Sequence, residues 1–437
     1  VLMKRLGYIL SYLLILTVIS CTQPYQVSYE QREKHAEIAQ AKKTDIFVGI
    51  VWHYVEQSSF INGVNLAVQE INNKDFDNDG IKGVLNRQLK MIIIDELGIE
   101  HGYFHKYFPR SKQRNIDQRL ALQLANTFTR NPEVVAVVGH AMPIEAIAAS
   151  VTYQHHGILY FAPVATNLLL TQPGFKLVFR LIPPNQEQAS QLAGYCALTK
   201  NYKNMVILHE RTAYGEELAD SFNETAAALG IKIIHRQSFF KSREQVNFKS
   251  IIADVQGKKF DAIFLASSED QTAVEMIKTA RKMLNNISFD LVGTHFMNIP
   301  SIGQEAGSAA EGLVVPTVFN SAFNLADNFV RSYKMNYNGE EPDAWAAQGY
   351  DSIKLLAYGM QESGSSVPMV VATTLRYMRT WIGVTGVHAF AENGEIRGKK
   401  YFFRQWEKDH FSALEGAHIP YSFYSLAHRR TKQDLVH

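Results

Sequence analysis

Two short stretches carry residue types that could hold a ligand. VVGHAMP ends an apolar run in Gly139, His140, Ala141, Met142 and Pro143, and ILYFAPVATN ends another in Val164, Ala165, Thr166 and Asn167. Each is small and polar after a run that is apolar at every position. A helix starting just after the first would add unpaired N–H groups and partial positive charge, which suit an anionic or acceptor group. Other patterns invite chemistry but sustain it less well. His101 and His105 have the helical spacing of metal ligands, yet Gly102 weakens such a helix and no third ligand accompanies them, so a solvated loop is expected. DFDNDGIKGVLN, residues 75–86, opens like a calcium loop with Asp75, Asp77, Asp79 and Gly80. Its twelfth position is Asn86 where a bidentate Glu is needed, so a turn is expected. The chain has no Gly-x-Ser-x-Gly elbow, Walker loop, His-Glu-x-x-His or paired-cysteine motif, and its 15 histidines are scattered. Binding without catalysis is expected, with no metal and no cofactor.

These residues must be positioned by alternating elements. IFVGIV, KMIIIDE, VVAVVG and ILYFA read as buried strands, with helical apolar spacing in FINGVNLAVQEINNK, RLALQLANTFTR and IEAIAASVTYQHHG between them. A second series follows: NMVILHE, IKIIHRQSF, FDAIFLAS and FDLVGTHF as strands, GEELADSFNETAAALG and QTAVEMIKTARKML as helices. Strand and helix in alternation predict parallel sheets covered on both faces. Pro183-Pro184 between the two series suits a connection. The fold class is therefore α/β, two doubly wound parallel-sheet lobes, with ligands expected beyond the carboxyl ends of the strands, in the crevice between lobes.

Composition agrees with a globular, multi-lobed protein: 437 residues, 46% hydrophobic, 20% charged, net charge +2. That balance argues against a nucleic-acid partner, which needs a concentrated basic surface. At the N-terminus, Lys4 and Arg5 precede LGYILSYLLILTVIS, proportioned as a secretory signal rather than a span, and the run ends in Val18-Ile19-Ser20-Cys21, which resembles a bacterial lipobox. The expectation is a signal peptide over 1–20, lipid on Cys21, and a polar tether over 21–44 to a body anchored to a membrane without crossing it. The remaining cysteine, Cys196, has nothing to pair with and reads as a buried apolar residue.

From about Asp45 to Trp406 the chain resembles the leucine/isoleucine/valine-binding proteins, type I periplasmic solute-binding proteins of ABC importers. The resemblance rests on the order and spacing of GVNLAVQEINNK, VVAVVGH, GILYFAPVATN, VILHERTAYGEELADSF, FDAIFLAS, AAEGLVV, AWAAQGYDSIKLLA and GVTGVHAFAENGEI. It implies one lobe from residues 45–180 with 318–398, another from 181–317 with 399–411, a three-strand hinge, and a tail over 412–437. It also implies a monomer that closes on a small-molecule ligand and meets ABC permease subunits.

The resemblance assigns the ligand's carboxylate to Ala141, Met142, Pro143, Val164, Ala165 and Thr166, where Pro143 departs from the usual hydroxyl-bearing residue. It assigns further contacts to Tyr214, Ser267 and Ser268, and to Trp345 and Asn185; Trp52 at the rim is given the better odds of the two tryptophans. His295 falls where an acidic residue would meet the ligand's ammonium. Histidine cannot replace that charge, so the expected ligand is an amino acid or, in better accord with His295, a carboxylate, amide or carbonyl compound, unless Glu187, Glu269 or Asp270 substitutes. Residues 98–117 are an insertion near the cleft mouth. The competing reading is a lipoprotein that uses this fold for protein contact, for example in regulating cell-envelope synthesis; Thr22 after Cys21 is not the aspartate that retains some lipoproteins at the inner membrane.

Overall fold

The computed structural model describes residues 26–53, 58–96, 118–240, 246–268, 270–322 and 324–414. The signal, Cys21, the 98–117 insertion with His101 and His105, Glu269 and the tail beyond residue 414 lie outside the described residues. In chain order the first half holds α1 (Tyr29–Ala41), β1 (Ile46–Trp52), α2 (Ser59–Asn73), β2 (Leu89–Asp95), α3 (Gln118–Thr129), β3 (Val134–Gly139), α4 (Pro143–His155), β4 (Leu159–Ala162) and β5 (Val178–Arg180). The second holds α5 (Asn185–Gly194), β6 (Asn204–Glu210), α6 (Ala213–Ala228), β7 (Lys232–Phe239), α7 (Phe248–Ala253), β8 (Ala262–Ala266), α8 (Asp270–Met283), β9 (Asp290–Val292), α9 (Pro300–Ala306) and β10 (Val314–Thr317). The chain then returns to the first half through α10 (Asp327–Asn336), α11 (Ala344–Ser363), α12 (Pro368–Tyr377), β11 (Trp381–Gly383), β12 (Gly386–Phe390) and β13 (Ile396–Arg397). It ends in the second half with β14 (Phe402–Glu407) and β15 (His410–Ala413).

The first sheet has the order β2-β1-β3-β4-β5 and is parallel throughout. Its central strand β3 is buried at every position, as its uninterrupted VVAVVG requires. Phe60, Val64 and Ile71 of α2, Ile353 and Leu356 of α11 and Leu375 of α12 pack one face. Leu124 and Phe128 of α3 with Ala146, Ala149 and Tyr153 of α4 pack the other. The second sheet, β15-β14-β10-β9-β8-β6-β7, is parallel from β10 to β7 and carries the antiparallel pair β14 and β15 on one edge. α5 and α6 cover one face through Leu192, Leu218 and Phe222, and α7, α8 and α9 the other through Ile252, Ile277 and Ile302. Both sheets are thus doubly wound, and β11, β12 and β13 add a small antiparallel sheet.

α2 and α11 touch backbone to backbone. A Cβ on Gly63 would lie 1.9 Å from the Ala346 carbonyl oxygen, and one on Gly349 would lie 2.2 Å from that of Phe60. Glycine on each helix permits the approach, and any side chain there would force the helices apart.

The chain passes between the sheets three times, and one residue from each passage, Ile182, Val318 and Tyr401, buries against the other two. Tyr401 adds hydrogen bonds, its N–H to Gln191 Oε1 at 2.8 Å and its hydroxyl to the Pro183 carbonyl at 3.2 Å. Beside this bundle the buried Lys399 Nζ donates to the Leu181 carbonyl (2.8 Å), Thr385 Oγ1 (2.7 Å) and His388 Nε2 (3.1 Å). Thr385 in turn donates to Asp351 of α11 at 2.5 Å. Burial pushes the Lys399 ammonium down to about 7, against the attraction of Asp351.

The tether expected over 21–44 is corrected from residue 26 onward. Ser28 caps α1 with a full capping box to Gln31, and the helix docks on the first half. It lacks an apolar stripe because one fully buried cation does the anchoring: Arg32 donates to the carbonyls of His156 (2.8 Å), Asn131 (2.7 Å), Val134 (2.6 Å) and Thr129 (3.0 Å). Arg32→Ala strands these acceptors and should cost about 3 kcal/mol or more in urea unfolding. Arg32→Lys should recover less than half, since three donors on one nitrogen cannot reach four carbonyls in a fork; an unchanged unfolding midpoint for both would show that α1 contributes no stability.

Candidate functional site

The carboxyl ends of β1, β2 and β3 bring Trp52, Glu96 and His140 together. β3 closes on β1 because Gly139 (φ 138°) has no Cβ, which would meet the Val51 carbonyl oxygen at 2.0 Å. His140 follows in a left-handed conformation (φ 56°) and is fully buried. Its Nδ1 pairs with Glu96 Oε1 at 2.5 Å and its Nε2 with the Tyr153 hydroxyl at 2.9 Å. His53 reaches the other Glu96 oxygen at 3.2 Å. Burial raises the Glu96 carboxyl, but His140 and His53 together outweigh it and hold the group well below the ordinary carboxylate range. The Ala141 N–H also leans on Glu96, at 3.4 Å. One donor expected to grip a ligand carboxylate is therefore turned to an internal one, and Pro143, in the first turn of α4, supplies no N–H. Ala141, Met142 and Pro143 are all half-buried.

The second stretch is held from behind. The buried Arg180 guanidinium donates to the carbonyls of Ala165 and Asn167 (2.7 Å to the latter) and pairs with Glu395 at 2.9 Å. The Thr166 carbonyl accepts from the Asn185 N–H at 3.0 Å. With its carbonyls drawn inward, this buried turn leaves the Thr166 hydroxyl without any partner.

In the second half Thr212 caps α6 and sets Tyr214 in its first turn. The Tyr214 ring stands 6.4 Å from that of His295 and 5.4 Å from that of Phe296, and its hydroxyl is buried and unpaired. Gln188 fixes His295 from α5. Its Oε1 accepts the His295 backbone N–H at 3.0 Å, which settles the amide orientation, and its Nε2 then donates to His295 Nδ1 at 2.8 Å. The ring proton therefore sits on Nε2, which is buried and unpaired. Burial lowers the His295 pKa to about 3, so the ring is a neutral donor at physiological pH. Ser267 and Ser268 serve a different group: the Ser268 N–H (3.0 Å) and hydroxyl (2.7 Å) both donate to the buried Glu210, which the Ser267 hydroxyl approaches at 3.5 Å.

The two tryptophans are placed differently. Trp52 stacks on Phe60 at 3.7 Å and is 7% exposed, whereas Trp345, 6.3 Å from it, faces a pocket at the three passages. His295, Trp345, Gln348, Ile182, Val318 and Tyr401 line that pocket, whose free volume is about 20 Å³. This is room for one water.

A chain of contacts joins most of the expected site. Thr166 meets Asn185, Asn185 Nδ2 donates to Glu217 at 2.8 Å, Glu217 lies one turn from Tyr214 on α6, Tyr214 meets His295, and His295 shares the pocket with Trp345. Thr166 Oγ1, Asn185 Oδ1, Tyr214 Oη and His295 Nε2 are all buried without a partner. Each such atom costs about 1–3 kcal/mol unless something else satisfies it. Glu187, offered as a substitute acid, accepts from Gln191 at 2.9 Å. The Asp75 loop spends two carboxylates on itself, Asp75 on the Gly80 N–H and Asp79 on Asn86, while Asp77 accepts from Gln361 of α11 at 2.8 Å. Among the described residues no group of three or more metal-ligating side chains is placed to hold an ion, and no helix is long and apolar enough to cross a membrane.

Sequence reading missed the Glu96, His53 and His140 cluster. Its signal was an acidic residue and a histidine at the ends of neighbouring strands, IIIDE and VVGH, legible only once their pairing with β1 is known. The His295 tautomer has a direct check. Nitrogen-15 NMR should show an Nε2–H ring that does not titrate between about pH 5 and 8. Because its folded pKa lies below the ordinary 6.5, its contribution to stability is full above that value and is lost as pH falls toward about 3. A ring titrating near 6.5 would contradict the burial that the structure assigns.

A family model described as periplasmic binding protein matches residues 107–410. The chain is 25% identical over 358 residues to the leucine-specific-binding protein of Salmonella typhimurium, covering 81% of this chain and 87% of that one. An ABC transporter substrate-binding protein from Desulfitobacterium hafniense, solved in complex with Leu, superposes with TM-score 0.70 and 29% identity over 85% of this chain and all of that one. A solute-binding protein from R. palustris, solved in complex with benzoate, shares the fold at TM-score 0.65 and 19% identity, over 85% of this chain and 95% of that one.

Proposed function

The chain belongs to the periplasmic binding proteins of the leucine/isoleucine/valine-binding family, and from that premise we propose that it closes on a small polar solute and delivers it to an ABC importer. Members of this family are substrate-binding subunits rather than enzymes, and they work outside the cytoplasm. The solute would be an amino acid or a carboxylate or amide compound, in keeping with relatives solved with Leu and with benzoate. The body would be held to the cell envelope by lipid on Cys21 and would act as a monomer.

The observation that carries this reading is the set of four buried, unpaired polar atoms on Thr166, Asn185, Tyr214 and His295, drawn from both halves around the passages. A fold kept only for protein contact has no use for them, and apolar replacements would remove their cost. Closure follows if the solute touches both halves, since a ligand with equal affinity for open and closed forms would shift nothing. The lobes would be residues 45–180 with 318–398 and residues 181–317 with 399–411.

Native mass spectrometry of the freshly purified body should find a bound small molecule, and adding that molecule should compact the protein in X-ray scattering. Thr166→Ala and Tyr214→Phe should each weaken binding about tenfold, or about 1.4 kcal/mol. A body that carries nothing and responds to no amino acid, organic acid or amide would end the delivery reading. Cys21→Ser should release the protein from membranes; continued partition into them would remove the lipid.

A further inference from the structure

We infer that the surface of the first half at the amino ends of its strands is the one nearest the membrane, with the second half held farther out. This rests on the lipid reading of Cys21 above and adds the orientation that such an anchor imposes. The partner is the lipid surface that the anchor enters.

The chain is already fixed at Val27, which is buried. Its N–H donates to the Thr129 carbonyl at 3.1 Å and its carbonyl accepts from His156 Nδ1 at 2.9 Å; one residue earlier, Gln26 Nε2 donates to Asn126 Oδ1 at 2.8 Å. Ser28 then caps α1, and the Arg32 fork ties that helix to four carbonyls of the same surface. Six residue steps separate Cys21 from Val27. At no more than about 3.6 Å each they span at most about 22 Å, so the expected tether reduces to a short link.

These fixing points lie where α3 and α4 end and β3 and β4 begin. The candidate ligand site lies at the opposite ends of the strands. α4 measures the separation: it starts at Pro143, beside the site, and its 13 residues run about 20 Å before the chain reaches His156. Lipid on Cys21 therefore holds the end of the first half that is turned away from the site. The second half follows only through the three passages. Charge adds little to this orientation, since Glu30, Glu33 and Glu37 of α1 offset Lys42, Lys43 and Arg130 at the same surface.

The test uses the lipidated protein in vesicles of phosphatidylcholine and phosphatidylglycerol that carry an energy-transfer acceptor on their headgroups. Single dye sites come from Lys176→Cys, exposed just before β5 on the first half, and Lys259→Cys, exposed just before β8 at the amino ends of the second sheet; Cys196 is buried and takes no dye. Transfer from the first site should exceed that from the second by about twofold or more, given the reach of the link. A flexible Gly/Ser insert of about twenty residues between Thr22 and Gln23 should shrink that difference. Equal transfer from the two sites, stronger transfer from the second, or a difference that the insert leaves unchanged overturns the inference, and loss of vesicle binding in Cys21→Ser then keeps the lipid reading standing. If Cys21→Ser binds the vesicles as well as the unmodified protein, the lipid reading falls and the inference falls with it, while solute binding is untouched.

Discussion

The structure depends on a point where three strands of backbone pass between two sheets and pack on one another. Ile182, Val318 and Tyr401 would be a small apolar contact if they stood alone. What fixes them is the neighbouring ammonium. Lys399 has three donors, and the structure gives it three acceptors, of which one is the Leu181 carbonyl on another passage. Thr385 relays the contact to the Asp351 carboxylate, so the charge is answered although the two groups do not touch. Two of the passages are thereby tied to the first half.

The two halves present opposite electrostatic characters at the cleft. The strand ends of the first hold a charged cluster, Glu96 between His53 and His140, that is internally balanced. The second presents neutral donors, because burial keeps His295 uncharged and Gln188 selects its tautomer. A buried Glu210 organises the loop at Ser267 and Ser268 through neutral donors.

Most of the fold was legible in the sequence because it is periodic. VVAVVG can only be a strand buried on both faces, and the stripe through Phe60, Val64 and Ile71 can only be one face of a helix. The docking of α1 was not legible, because a periodic reading counts apolar residues and Arg32 replaces a stripe with a single buried fork. Thr166, Tyr214 and His295 came from resemblance, and the structure places them along one chain of contacts. The bonding of Ser268 to Glu210 was not legible: Glu210 lies 58 residues away, and nothing local announces that it takes both donors. The same distance blindness hid Glu96 from His140, 44 residues on.

The glycines of α2 and α11 give the aromatic wall of the first half an unusual stiffness. Phe60, which stacks on Trp52, and Trp345 stand on helices whose backbones are already in contact, so neither can slide inward and neither can be levered outward without breaking that seam. One jaw of the cleft is then effectively cast, while the opposite jaw is assembled from loop and helix-end residues held by side-chain hydrogen bonds. A lineage adapting this scaffold to a new solute would find its freedom almost wholly on that second jaw.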